Sequence, residues 1–475
     1  MGTSLEAQQP FIRRQSVDTL PLHASDRQDS SIEFLKSSAT CNASLLTAMK
    51  IPLLTITSLV AAIACAGGSD SPGGTAGIAT VFDSTGDSVI ARVDGAVPVS
   101  ALRIMDVTMR IAPAIDDTSL FSEVNDFEVD LANRVWAWDY QGRRMFLFDT
   151  AGKLVRRIGR QGSGPGEFSS GNGIVALADT GVAMLDAQNA RVSFFAANGD
   201  FRTSFRVPSG FSTSNGLMTD RSHSLFLRRP VTPAREGEIL GRMGLVRLTP
   251  EGVFGDSLAP PDLPVPRDTY LAVSPDGNGR SSTSSSYAPN YYWDWHPDGF
   301  FVAGHGGRYE IVIERRGAKP VVIRRNAPLV ALQPDERTEE MERITWNMRQ
   351  TQPGWTWPGP AIAETKAPLT GIVVTRDGNI WARVATPSER IPDDELPRTD
   401  GVVPTGSKPG KRSPVRHYRS PVVYEVFAPD GRFLGRVPMP PRTTMIQADG
   451  ETLWAIMRDA DDLPAIVRFR LNESF

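Results

Sequence analysis

Two stretches decide the fold when one is laid over the other: RVWAWDYQGRRMFLFDTAGKLVRRI, from Arg134 to Ile158, and GVAMLDAQNARVSFFAANGDFRTSF, from Gly181 to Phe205. Asp139 and Asp186, Arg144 and Arg191, Phe148 and Phe195, and Gly152 and Gly199 each stand 47 positions apart (186 − 139, 191 − 144, 195 − 148, 199 − 152). Four matches in one register mark an internal repeat. Within the first copy, Arg134–Asp139 is rich in β-formers, Tyr140-Gln141-Gly142 turns, Arg144–Phe148 is a second strand-like run, and Asp149–Gly152 turns again before Lys153–Ile158. With Phe127–Asp130 as an inner strand, each copy predicts a four-stranded antiparallel meander.

Weaker copies show the same strand, Gly-ended turn and strand. They are Leu245–Gly252, Tyr309–Gly317, the pair Asp377–Trp381 with Val423–Gly431, and the pair Asp449–Trp454 with Ala465–Leu471. The last unit has no outer strand after it, whereas residues 77–112 carry spare strand-like segments such as Ala79–Phe82 and Ser88–Val93. An N-terminal strand that completes the last unit would close the sheets into a ring and remove their exposed edges. The expectation is therefore an all-β, six-bladed β-propeller over residues 77–475, a size that allows a large core. The 42 Gly and 37 Pro are spread along the chain, as many short strands joined by turns require.

The run Gly159-Arg160-Gln161-Gly162-Ser163-Gly164-Pro165-Gly166-Glu167-Phe168 resembles the G-x-x-G-x-G-P-G-x-F linker between blades of NHL-repeat propellers, a family common among bacterial lipoproteins. The resemblance implies a six-bladed ring over roughly residues 77–475, with the linker carrying the chain from one outer strand to the next inner strand. It is a structural signature and carries no chemistry. A helical insertion is expected at about residues 334–350, where acids follow Pro334 and Met341, Ile344 and Met348 share one stripe. Trp355 and Trp357 follow it and suit packing more than the capping of a ligand cleft. A flexible loop is expected at about residues 389–420, where the acids Asp393, Asp394 and Glu395 precede a cluster of Lys and Arg in a Pro- and Gly-rich stretch.

The N-terminal part reads as an address. Lys50 is followed by an apolar run from Ile51 to Ala64 that ends at Cys65, the length of a signal-peptide core and too short to span a bilayer. Ala62-Ile63-Ala64-Cys65 resembles the lipobox of bacterial lipoproteins, which implies acylation of Cys65 and a cell-envelope location at the outer membrane or periplasmic face. Residues 49–64 are then the signal peptide and residues 65–76 the lipidated cysteine with its tether, rich in Gly and Ser. Residues 1–48 read as a mis-assigned start or a disordered leader, with translation beginning at Met49. The only cysteines are Cys41 and Cys65, so the folded part has no disulfide and relies on its core.

A formal net charge of −3 leaves no strong basic field, and nucleic acid is not an expected partner. Propellers place function in the loops around the channel, and Asn125, Asn172, Asn215 and Asn290 precede the inner strands, with Asn125 and Asn172 again 47 apart (172 − 125). Four amides could ring the channel mouth and bind a sugar, a peptide or a cation. If calcium binds, Glu123 and Asp126 are the candidate ligands. Zinc would want clustered His or Cys, and the propeller offers only His223, His296, His305 and His417. No nucleophile elbow or phosphate loop is present. The expectation is a monomeric, non-catalytic binding or scaffold module for a protein, peptide or glycan, without a predicted cofactor. The alternative that the family resemblance implies is a metal-dependent lactonase or lyase.

Overall fold

The structure is a computed structural model that describes residues 78–112, 121, 123–207, 216–233, 241–249, 252–396, 414–473 and 475. The signal-peptide run, Cys65, the tether and Asn215 lie outside these residues. The described chain is all-β with a single α-helix, and its sheets form six blades.

Blade 1 holds Val124–Val129, Val135–Asp139, Arg144–Phe148 and Leu154–Ile158, and blade 2 repeats it with Gly171–Ala176, Val182–Asp186, Arg191–Phe195 and Phe201–Arg206. Blade 3 is Leu217–Thr219, Leu225–Pro230, Met243–Leu248 and Phe254–Leu258, and blade 4 is Tyr291–His296, Phe300–His305, Glu310–Glu314 and Val321–Asn326. Leu369–Val374, Ile380–Val384, Val423–Phe427 and Phe433–Pro438 make blade 5, and blade 6 is built from Thr443–Asp449, Thr452–Arg458, Pro464–Leu471 and Met105–Ile111.

Closure of the ring is visible in the core. Six hydrophobic clusters each join two neighbouring blades. Trp136 and Trp138 meet Met184 and Phe195 between blades 1 and 2, and Leu185 and Val192 meet Leu217 and Leu227 between blades 2 and 3. Phe226 meets Trp295 and Phe301, Ile311 and Ile323 meet Ile380 and Phe427, Trp381 and Val426 meet Leu453 and Phe469, and Trp454 and Ile466 meet Phe127 and Phe148. A middle strand is thus covered on both faces, which is why Val135–Asp139 is buried at every position and its first four residues, Val135–Trp138, are all apolar.

The strand that closes the ring is Met105–Ile111, paired antiparallel to Pro464–Leu471. The two segments singled out in the sequence do form strands, Thr80–Asp83 and Val89–Asp94, but they widen blade 4. Val89–Asp94 runs parallel to Val321–Asn326, because its alternation lets Ala91 and Val93 bury against Ile323 while Arg92 and Asp94 face outward.

The linker between blades 1 and 2 is anchored by Phe168, fully buried against Trp138 and Phe195. Gly159 permits this approach: its φ is +74°, and a Cβ there would come within 2.4 Å of the Phe168 ring. The helix spans Pro334–Thr351 and buries Ile344 and Met348 against Tyr270 and Ala272, part of a hairpin formed by Tyr270–Val273 and Arg280–Thr283. Trp355 joins that cluster and donates its indole N–H to the Leu271 carbonyl at 2.8 Å, a packing role.

Candidate functional site

Inner strands turn one edge of their backbone toward the channel, and N–H groups there lack a strand partner. The channel holds a cavity of about 650 Å³ lined by the inner strands, or the turns directly after them, of all six blades. Acids cover part of the bare edge. Asp126 of blade 1 accepts from the backbone N–H of Ile174 in blade 2, and Glu128 accepts from that of Ala176. Asp294 of blade 4 repeats the device, taking the Val374 N–H of blade 5 at 2.8 Å and its neighbour Trp295 N–H at 2.8 Å. Arg376, in the turn after the blade 5 inner strand, hydrogen-bonds Glu128 and the Val129 carbonyl of blade 1.

Burial in the channel wall raises the proton affinity of these carboxyls. Asp126 and Asp294 are pushed up to about 6 despite their backbone donors. Glu128 is pushed up to about 7, with burial outweighing the opposing Arg376 charge and the Asp126 carboxylate adding to the rise. Through these three carboxyls the folded chain binds protons more tightly than the unfolded chain between about pH 4 and 7. Their contribution to stability falls as pH rises through that window, against a smaller opposite contribution from the buried His296 and from His305. We expect a higher urea midpoint at pH 5 than at pH 7.5. Asp126→Asn keeps an acceptor without charge, and should raise stability by about 1 kcal/mol at pH 7.5 and by nothing measurable at pH 4. Equal midpoints at the two pH values for the natural chain would contradict this account.

The residues expected to carry function are placed as follows. Asn125 is exposed, Asn172 is half-buried and takes a 3.3 Å hydrogen bond from Ser170, and Asn290 accepts from Arg267 at 2.7 Å. None of these three lines the channel cavity, and Asn290 instead borders a separate cleft beside Arg267 and Tyr291. Glu123 pairs with Arg458, whereas Asp126 is a channel acid. His223 lines the cavity at the turn after the blade 3 inner strand. His296 is buried, stacked on Phe300 and lowered to about 4 by burial, and His417 pairs with Glu339 at 2.8 Å. Among the described residues, no three His, Cys, Asp or Glu side chains come together to hold a metal ion.

Glu128, Asp294 and Arg376 were not singled out in the sequence. The signal for the first was present in Val124-Asn125-Asp126-Phe127-Glu128-Val129, where two acids alternate with residues that face blade 6. The repeated Asp139 and Asp186 have a structural task. Asp139 accepts the Glu123 N–H at 3.2 Å, and Asp186 accepts those of Ser169 and Ser170 at 3.0 Å each, which fixes the approach to the inner strand of the same blade.

A family model described as a 6-bladed beta-propeller matches residues 90–223. No curated protein matches the chain. Among solved structures, the chain is similar to a member of the DUF4221 family from Bacteroides vulgatus, at 11% identity and a TM-score of 0.45, covering 78% of this chain and 99% of that one. It is also similar to a gluconolactonase from Xanthomonas campestris, at 15% identity and a TM-score of 0.34, covering 78% of this chain and 99% of that one. A virginiamycin B lyase from Staphylococcus aureus is similar at 10% identity and a TM-score of 0.37, covering 78% of this chain and 100% of that one.

Proposed function

We propose that this protein is a non-catalytic binding propeller, tethered to the cell envelope through a lipid on Cys65, which takes a peptide or glycan bearing a basic group into its channel as a monomer. The observation that carries the reading is the engagement of the channel carboxylates. Asp126, Glu128 and Asp294 each spend an acceptor on the backbone of the next blade, so they hold the ring together and still present negative charge to the cavity. Groups fixed in this way supply recognition through preorganised acceptors and charge, and none stands as a nucleophile beside a base. The flanking Phe127, Leu217 and Val374 give the cavity apolar wall between its acids, the mixture that small-molecule and peptide sites use. The small net charge of −3 agrees with a partner other than nucleic acid.

The test is elemental analysis of the protein purified without chelator, followed by calorimetric titration with basic peptides and amino-sugar oligomers. The expected result is saturable binding of a basic ligand, weakened by Asp294→Asn, on a protein without stoichiometric metal. About one calcium or zinc per chain, with turnover of a lactone or a cyclic peptide, would overturn the reading in favour of a metal-dependent lactonase or lyase.

A further inference from the structure

On the outer face of blade 4, away from the channel, lies a concavity of about 530 Å³ whose polar wall is set by strand register. The N-terminal strand Val89–Asp94 places Arg92 directly opposite Arg324, and Arg324 is in turn opposite Glu310. Asp94, two positions after Arg92 on its strand, shares the face of Arg92, and Arg308, in the turn before Glu310, borders the same groove. Arg325 turns to the other face and is buried, leaving the exposed row to Arg92, Arg308 and Arg324.

Like charges opposite one another on a sheet are unfavourable, and this row is only partly neutralised. Glu310 accepts from Arg308 at 3.1 Å and from Arg324 at 3.0 Å, which aligns two guanidinium groups and offsets one of them. Arg92 has neither an ion pair nor a hydrogen bond among the described residues, and Asp83 on the adjacent strand acts on it only through its field. A guanidinium with free donors, beside a second one held in place by a carboxylate, matches the oxygen geometry of phosphate and sulfate.

We propose that this groove binds a tetrahedral oxyanion, a phosphate or sulfate group, between Arg92 and Arg324, with Glu310 orienting Arg324. This goes beyond the channel reading and is independent of it, since the two sites share no residue. Asp94, two residues beyond Arg92 on the same strand and opposite Asn326, bounds the site on that side and leaves the anion the space between Arg92 and Arg324. The oxyanion belongs to a lipid headgroup or to a soluble ligand.

The test uses the full chain carrying Cys65→Ser, so that no acyl anchor contributes. It is titrated calorimetrically at low ionic strength with inorganic phosphate and with sulfate, and sedimented with vesicles of phosphatidylglycerol or of phosphatidylcholine. We expect saturable one-to-one binding of phosphate, weakened about tenfold or more by Arg92→Ala and unchanged by Arg316→Ala, an exposed arginine outside the groove. Arg92 is exposed, so its replacement should leave the melting temperature unchanged. Sedimentation with phosphatidylglycerol that Arg92→Ala abolishes assigns the group to lipid, and phosphate binding without sedimentation assigns it to a soluble ligand. No binding of phosphate or sulfate, or equal losses from Arg92→Ala and Arg316→Ala, would overturn the proposal.

Discussion

A chain that begins after Ala112 will not close its ring. Blade 6 takes its outer strand from Met105–Ile111, seven residues paired antiparallel along Pro464–Leu471. Their loss strips a ladder of backbone hydrogen bonds worth on the order of 1 kcal/mol each. It also uncovers the site of Ile111, a buried member of the cluster between blades 6 and 1. The total is comparable to the whole stability of a typical domain, about 5–15 kcal/mol, and it leaves a long free strand edge. The expected result is an aggregating protein without a cooperative unfolding transition. A chain beginning at Pro98 loses only the strands added to blade 4 and should still unfold cooperatively. The structure also predicts a rescue. Leu471 lies opposite Met105, and the Asn472 N–H donates to the Ile104 carbonyl at 2.9 Å. Moving Met105–Ile111 behind Asn472 through a turn of about two to four residues would make blade 6 from consecutive strands. That permuted chain should recover a cooperative transition. A soluble, cooperative protein from the simple truncation would show that the strand is dispensable.

The same strand marks the limit of what the sequence makes legible. Blades 1 and 2 can be read because Asp139 and Asp186 keep one task in both copies, holding the backbone that leads to the inner strand, and Phe148 and Phe195 keep another in the core. Blades 3 to 6 do those tasks with other residues and are recognised only by their turns. The need for closure follows from the missing outer strand of the last unit. Which N-terminal segment supplies it does not, because Val89–Asp94 and Met105–Ile111 both carry apolar residues on one face and differ only in which blade receives them. The channel was harder still. Asn125 and Asn172 repeat and attract notice, yet the carboxylates that line the cavity come from positions 126, 128, 294 and 449 in the inner strands and from Asp220 in the turn after one. An acid in a strand reads as solvated until the neighbouring blade is placed beside it and its oxygen meets a backbone N–H.

Replacing Glu425 with alanine should be among the most damaging single substitutions in the molecule. Its side chain is fully buried in blade 5 and accepts from the Tyr309 hydroxyl at 2.7 Å, from Arg325 Nε at 3.1 Å and from Arg436 at 2.5 Å. Arg325 is equally buried, and its Nη1 donates to the Val93 carbonyl at 3.2 Å and to that of Asn326 at 3.0 Å. One carboxylate thus joins blade 5, blade 4 and the parallel N-terminal strand. Removing it leaves the Arg325 charge desolvated and uncompensated, at a cost of about 3–5 kcal/mol. Tyr309→Phe removes one hydrogen bond and should cost about 1 kcal/mol, while Arg436→Ala should also cost little because Arg436 remains partly solvated. Urea unfolding of Glu425→Ala, Arg325→Ala and the double variant separates the contributions. The double variant should be less destabilised than the sum of the two, since each single change strands the other's charge. If Glu425→Ala unfolds within about 1 kcal/mol of the natural chain, solvent reaches Arg325 when its partner is lost, and the joint between blades 4 and 5 is held by its apolar cluster and by bonds such as Asp294 to Val374.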